Sequence, residues 1–189
     1  PAEAARQLRL PGGSCYRGSQ EEAPADMTPE LATIIRAGDA RAAQPYIDEV
    51  IVSLAHDRWK AHHLLFSHRH KEAPAEFHEE IVADFWSRDK VSQRMAFRGS
   101  AKSTLGEEDI ALAALYVCFH NILIIGASET RAAERVGAIS YELENNDLIE
   151  LLFGRQKVKG NIWSQTKLVT PRQVCIQAMG RDQDIRGIK

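Results

Sequence analysis

The residues with the clearest capacity for chemistry are the seven in the run Arg98–Thr104. With the two residues before them they fit the phosphate-loop pattern G-x-x-x-x-G-K-[ST], except that Ala96 and Ala101 stand at the two glycine positions. Backbone N–H groups at the start of a helix attract anions, the lysine reaches phosphate oxygens, and the serine hydroxyl completes the shell of a Mg²⁺ ion. The sequence therefore predicts a nucleotide site in which Lys102 is the cation and Ser103 the Mg²⁺ ligand. The predicted nucleotide-binding residues are Arg98, Gly99, Ser100, Ala101, Lys102, Ser103 and Thr104.

A phosphate loop lies between a strand and a helix, and the sequence on either side of 98–104 predicts both. After residue 91 strand and helix patterns alternate, which indicates an α/β fold. The apolar run 122–125 is typical of a strand covered on both faces, as in a parallel sheet. The alternative for 98–104 is a solvated strand–helix turn that happens to hold a lysine. The predicted strands are 91–97, 122–126, 167–170 and 173–178, and the predicted helices are 104–119, 129–143 and 147–153.

The part of the chain before residue 91 has a different character. Residues 1–26 are rich in Ala, Pro, Gly, Arg and Glu without periodicity, which predicts a disordered arm. Apolar residues at helical spacing then predict three helices, at 28–38, 45–66 and 74–88. The sequence therefore predicts an arm at 1–26, a helical subdomain at 27–90 and an α/β core at 91–189.

Composition narrows the class of protein without selecting a function. The 189 residues are 44% hydrophobic and 26% charged with a net charge of −2, an ordinary globular balance that does not point to nucleic acid. The C-terminal stretch from Arg155 is locally basic, which suits either a phosphate-facing surface or a solvated one. Three separated cysteines, Cys15, Cys118 and Cys175, argue against a disulfide framework and suit a reducing cytoplasm, and the latter two are expected to be packed in an apolar helix and strand. No membrane-spanning or signal segment is visible.

Five segments combine into a more specific pattern. They are 77–80 (Phe-His-Glu-Glu), 98–104, 122–130 (Ile-Leu-Ile-Ile-Gly-Ala-Ser-Glu-Thr), 142–146 (Glu-Leu-Glu-Asn-Asn) and 178–187 (Ala-Met-Gly-Arg-Asp-Gln-Asp-Ile-Arg-Gly). In this order they resemble the large subunit of bacteriophage terminases, the ATPase that packages DNA into viral capsids. That family often has an arginine-rich loop with alanine where other phosphate-loop proteins have glycine. The resemblance covers about 74–189 and implies a P-loop NTPase-type parallel sheet flanked by helices, with an N-terminal helical subdomain.

The resemblance also implies an activity. It is ATP hydrolysis that drives double-stranded DNA into a capsid, with ATP and Mg²⁺ as cofactors. Arg98 and Lys102 would be catalytic, since an arginine at the transferring phosphoryl group raises the rate of related NTPases by about 10³–10⁵. Arg186 would position the loop or cap a strand end, and Phe77 or its neighbours would lie near an adenine pocket. The implied partners are double-stranded DNA, a small terminase subunit, the portal protein and further copies of the chain in a ring, in the cytoplasm of the infected bacterial host.

One expected element of that family is not found in the sequence. An apolar strand ending in two acidic residues, which hold Mg²⁺ and activate water, is expected soon after 185–187, and the sequence reaches Lys189 without it. The run 122–125 does not replace it, because Gly-Ala-Ser follows. The sequence therefore predicts the N-terminal part of a longer protein, incomplete at its C-terminus and without the family's nuclease domain. Such a chain is expected to bind nucleotide better than it hydrolyses it.

Other functions stay open. The missing acidic strand also suits a catalytically silent nucleotide-binding or assembly module. A small P-loop kinase is a further alternative, although it needs an acceptor pocket and an arginine-bearing lid, and neither is recognisable. The histidines at 62, 63, 68, 70 and 78 suggest a zinc site only weakly, because no cysteine or carboxylate accompanies them in a compact arrangement.

Overall fold

A computed structural model describes residues 40–87, 91, 93 and 95–182. The chain divides into two compact units, Pro1–Leu64 and Leu65–Lys189. The predicted arm at 1–26, the predicted helix at 28–38 and Arg186 lie outside the described residues. The subdomain limits 27–90 and 91–189 stay predictions.

The described part of the first unit is helical. Helix α1 spans Ala40–His56 and α2 spans Arg58–Leu65, so the single helix predicted at 45–66 is wrong. The break falls at Asp57, whose carboxylate accepts a hydrogen bond from the backbone N–H of Lys60 at 2.8 Å. An aspartate that bonds to the backbone three residues ahead ends one helix and caps the next.

The second unit contains the remaining described elements. A 3₁₀ turn at Ser67–Arg69 precedes α3 (Glu76–Phe85). Helix α4 (Lys102–Leu115) begins within the predicted phosphate loop 98–104, two residues before the predicted helix start at 104. Next along the chain come β1 (Asn121–Gly126), α5 (Glu129–Asn145), α6 (Asp147–Phe153), β2 (Lys167–Val169) and β3 (Cys175–Gly180). Ser128 caps α5 and Asn146 caps α6, each by accepting from first-turn N–H groups.

The sheet is small and mixed. Its strand order is β1-β3-β2, with β1 parallel to β3 and β2 antiparallel to β3. The parallel register joins Asn121 to Cys175 and Gly126 to Gly180. The α/β class is therefore confirmed, whereas a parallel sheet of the P-loop type stays a prediction. Helix α5 packs against both β1 and β3.

The strand predicted at 91–97 is not observed in the described residues of that segment. Val91 and Met95 belong to no strand of the described sheet and are 86% and 88% exposed. The described sheet contains only β1, β2 and β3, so within it no strand forms backbone hydrogen bonds with residues 91–97. A single strand without a partner is not stable as a sheet element.

The prediction that β1 is covered on both faces is also wrong. Ile125 is 54% exposed, and Ile122, Leu123 and Ile124 are only partly buried. The cause is position, because β1 forms an edge of the described sheet and its helical cover comes from α5. A wholly apolar run does not by itself distinguish an edge strand from a central one.

Helix α4 ends four residues before the predicted limit of 119. Cys118 donates its N–H to the carbonyl of Ala113 at 2.9 Å, and Val117 donates to Ala114 at 3.2 Å. With Val117 in the left-handed region (φ 55°), these bonds form a Schellman C-cap. Cys118 is consequently exposed rather than packed in a helix, and Cys118 and Cys175 are both free thiols.

Candidate phosphate-binding site

One of the two alanines at the glycine positions of the motif, Ala101, has the left-handed backbone conformation that favours glycine. Gly99 has φ 90° and Ala101 has φ 52°, so two left-handed residues flank Ser100. Ala101 occupies the second glycine position of the motif and keeps its left-handed conformation although a side chain disfavours it. Ala96, at the first glycine position, has a negative φ, and alanine fits there without strain. Only one of the two alanine substitutions is therefore costly to the backbone.

Helix α4 begins directly at this loop. Its N-cap is Ala101, whose methyl group cannot accept a hydrogen bond, so no side chain caps the helix. The first bond along the helix runs from the N–H of Leu105 to the carbonyl of Ala101 at 3.0 Å. The N–H groups of the preceding three helical residues, from Lys102 to Thr104, therefore lack a partner within the helix. Such an uncapped N-terminus attracts anions.

The structure places the charged and hydroxyl side chains of the prediction on the outside of this turn. Lys102 and Ser103 are exposed at the first two positions of α4, and Arg98 is exposed in the loop. The Lys102 ammonium donates to the carbonyl oxygen of Phe97 at 3.2 Å, so the side chain lies back across the loop. Among the described residues Arg98 has no ion-pair partner. All three side chains are accessible to a ligand.

Ser100 differs from its neighbours because it is buried. Its side chain is 3% exposed, and its hydroxyl has no hydrogen-bond partner among the described residues. The hydroxyl therefore faces the protein rather than solvent. In this conformation Ser100 can contribute to an anion site only through its backbone.

Helix α3 contacts the loop at two points. The rings of Phe77 and Phe97 meet edge to face with centroids 5.7 Å apart. The Nε2 atom of His78 lies 3.2 Å from the carbonyl oxygen of Ser100. Both contacts come from the first turn of α3, so this turn holds the loop on either side of Gly99.

An open groove lies between α3 and the segment before the loop. Its volume is about 410 Å³. Phe77, Ile81 and Phe97 give it apolar walls, and Glu80 and Asp84 add carboxylates. The remaining lining residues are Gln93, Met95 and Ala96. The groove adjoins the predicted phosphate loop, because its lining residue Phe97 directly precedes Arg98.

Comparison with known proteins identifies no relative of this chain. No protein-family model, curated protein or solved structure matches the chain. None of the helices in the described ranges is long and apolar enough to cross a membrane. Function is therefore inferred from the residues of the site.

Beneath the loop, α4 carries three consecutive buried acidic residues. Glu107, Glu108 and Asp109 are 5%, 0% and 0% exposed. Glu107 binds two arginines, Arg69 at 2.5 Å and Arg135 at 2.7 Å. One hydrogen bond thus ties α4 to the segment before α3, and another ties it to α5.

The other members of this ionic cluster are also paired. His70 lies 2.9 Å from a carboxylate oxygen of Glu108, and His68 lies 3.0 Å from one of Glu142. The indole N–H of Trp86 donates to Asp109 at 2.9 Å. Buried carboxylates are stable only when they are paired in this way. His68 and His70 therefore contact carboxylates that lie far from them in the sequence.

Sequence reasoning missed this cluster and the role of His78. The run Glu107-Glu108-Asp109 sits in a helix whose other residues are mainly Ala and Leu, so at about 100° per residue it must place at least one carboxylate inside. The short basic run His68-Arg69-His70 provides complementary charge. Reading the two runs together would have predicted the pairing. No sequence signal indicates which backbone group His78 contacts.

Some of the basic side chains in the C-terminal segment are paired with carboxylates. Lys157 pairs with Glu144 at 2.7 Å, and Arg155 lies 3.9 Å from Glu150. These pairs are partly exposed, as in a solvated surface. The phosphate-facing interpretation gains no support from them.

Proposed function

We propose that the chain binds a nucleoside triphosphate with Mg²⁺ at the loop 98–104, as the ATP-binding part of a terminase-like large subunit. The observation that carries the proposal is the start of α4. There an uncapped helix N-terminus, two left-handed residues and the exposed Lys102 occur together. Positive-φ turns that expose consecutive N–H groups form anion-binding concavities, and a lysine beside them adds a full charge.

In this proposal three of the predicted residues have side-chain roles. Lys102 leaves the carbonyl of Phe97 and binds the β- and γ-phosphates, because a phosphate is a stronger acceptor for an ammonium than a neutral carbonyl. Ser103 supplies a hydroxyl to Mg²⁺. Arg98, exposed at the loop, stabilises charge on the transferring phosphoryl group.

The adjoining groove suits the base of the same nucleotide. The aromatic rings of Phe77 and Phe97 provide faces for stacking, and the carboxylates of Glu80 and Asp84 can accept hydrogen bonds from an exocyclic amine or ribose hydroxyls. Those carboxylates would repel phosphates, so the base lies in the groove and the phosphates at α4. This orientation follows from charge alone.

The wider function rests on the resemblance of the five sequence segments. In that proposal ATP hydrolysis moves double-stranded DNA, and the chain works in a homo-oligomeric ring with a small terminase subunit and a portal protein. The setting is the cytoplasm of an infected bacterium.

A specific observation favours the silent nucleotide-binding module as a second candidate for this chain. Strands β1 and β3 end at Gly126 and Gly180, not at acidic residues. The acidic residue that follows β3, Asp182, is 87% exposed and lies 3.7 Å from Arg181. In the described part of the chain, no strand therefore brings a carboxylate pair to the loop. Binding without turnover, with or without DNA, would support this candidate over the motor.

The proposed site is tested by calorimetric titration of the full chain with Mg²⁺-ATP. Replacing Lys102→Ala removes a charged donor to phosphate, worth about 1.5–3 kcal/mol, so binding should weaken by about 10- to 100-fold. The matched control is Lys159→Ala, which removes the same charge from an exposed position outside the loop and should bind as the native chain does. A folded native chain that does not bind, or equal binding by both variants, contradicts the proposal.

A further inference from the structure

His78 has a defined protonation pattern because of a contact inside its own helix turn. The backbone N–H of Ala75 donates to Nδ1 of His78 at 2.9 Å. A backbone N–H can only donate, so Nδ1 carries no proton, and in the neutral ring the proton is on Nε2. Nε2 therefore donates to the carbonyl oxygen of Ser100, 3.2 Å away.

This hydrogen bond fixes the orientation of one particular peptide group of the loop. This is the peptide between Ser100 and Ala101. It lies between two residues with left-handed backbone, Gly99 and Ala101. In a planar trans peptide the C=O and the following N–H point in opposite directions. When His78 holds the Ser100 carbonyl, the N–H of Ala101 is directed away from α3.

We propose that His78 is a positioning residue for the phosphate loop. It acts through the Ser100 carbonyl and keeps the Ala101 N–H in the orientation that a phosphate needs, without touching the ligand itself. The inference rests on the proposed nucleotide site. Phe77 holds Phe97 independently, so the loop stays attached to α3 when His78 is replaced.

The effect of His78 should be on binding more than on folding. The side chain is only half-buried, so water can replace its partner when the ring is lost. A neutral hydrogen bond that orients a group is worth enough to change affinity by about 3- to 10-fold. A glutamine at this position retains an N–H donor near the place of Nε2, and an alanine does not.

The first experiment is calorimetric titration of the full chain with Mg²⁺-ATP. His78→Ala should bind about 3- to 10-fold more weakly than the native chain, and His78→Gln should recover most of the loss. Glu79→Ala, an exposed neighbour on the same helix, is the matched control and should bind as the native chain does. Thermal unfolding of each variant shows that all are folded.

The outcomes separate this inference from the proposed function. If the native chain does not bind, the nucleotide site is wrong and the inference falls with it. If the native chain binds, Lys102→Ala weakens binding and His78→Ala does not, only the positioning inference is overturned. Equal weakening by His78→Ala and His78→Gln also overturns it.

A second measurement reads the hydrogen bond without any ligand. Long-range ¹H–¹⁵N spectra of the native chain distinguish the two neutral tautomers of His78. We expect the proton on Nε2 and an unprotonated Nδ1. The opposite tautomer would leave no donor for the Ser100 carbonyl and would overturn the inference.

Discussion

The guanidinium of Arg69 lies 2.5 Å from the carboxylate of Glu107, on the second turn of the helix that begins at Lys102. The same guanidinium is 3.6 Å from Glu108 and 3.8 Å from Glu142. One arginine thus serves three largely buried carboxylates on two helices. Arg69 therefore links α4 to α5 through their buried carboxylates.

The substitution Arg69→Ala should therefore lower the free energy of unfolding strongly. Its side chain is 17% exposed and that of Glu107 is 5% exposed, so the variant leaves buried carboxylates without their main counter-charge. We expect a loss of about 3 kcal/mol in the free energy of unfolding, measured by urea denaturation. The control is Arg131→Ala, whose side chain is 71% exposed and pairs with Glu134, and a loss below about 0.5 kcal/mol is expected there. Similar losses in the two variants would mean that the cluster contributes no more than a surface ion pair.

The two tryptophans Trp86 and Trp163 provide a matched test of buried hydrogen bonding. The indole of Trp86 donates to the fully buried Asp109, whereas the buried indole N–H of Trp163 has no acceptor among the described residues. The substitution Trp86→Phe removes a donor that a carboxylate uses, and Trp163→Phe removes one that is unused. Trp86→Phe should lower the free energy of unfolding by about 1–2 kcal/mol more than Trp163→Phe does, measured by urea denaturation. A larger loss in Trp163→Phe would contradict the importance of the Asp109 contact.

The backbone of the loop predicts opposite effects for glycine at the two alanines of the motif. Ala101 is left-handed at φ 52°, so Ala101→Gly relieves about 1–2 kcal/mol of strain while adding about 0.5–1 kcal/mol of unfolded-state freedom. The net result should be a gain in stability of between zero and about 1.5 kcal/mol. Ala96→Gly relieves no strain and should lose several tenths of a kcal/mol. Calorimetric melting of both variants measures the difference, and a gain in Ala96→Gly with a loss in Ala101→Gly would refute the assigned conformations.

The limits of helices and strands could be predicted from the sequence where residues next to the boundary set them. Helix α6 begins and ends where predicted, because Asn146 is a strong N-cap and Gly154 follows its last residue. Strand β1 and the start of α5 were also predicted within one residue, since an apolar run is followed by the capping residue Ser128. These signals lie within a few residues of the boundary they set.

Sequence reasoning failed where the deciding contact is distant in the chain. Whether 91–97 pairs as a strand depends on a neighbouring strand, and nothing in its own pattern reports one. The pairing of Arg69 with Glu107 joins residues 38 positions apart, and the contact of His78 with Ser100 joins residues 22 positions apart. The motif predicts a turn before a helix at 98–104, and the structure has a turn before α4; the residues of α3 that contact this turn came only from the three-dimensional arrangement.

The contact of Lys102 with the Phe97 carbonyl has a consequence for the entropy of binding. Confining a lysine side chain to one conformation costs about 1.5–2 kcal/mol in rotamer freedom. The hydrogen bond to Phe97 restricts the Lys102 side chain within the folded loop, so part of that loss accompanies folding. In the proposed nucleotide site, a phosphate would exchange one acceptor for another on an ammonium that already lies across the loop, which would lower the entropic cost of binding.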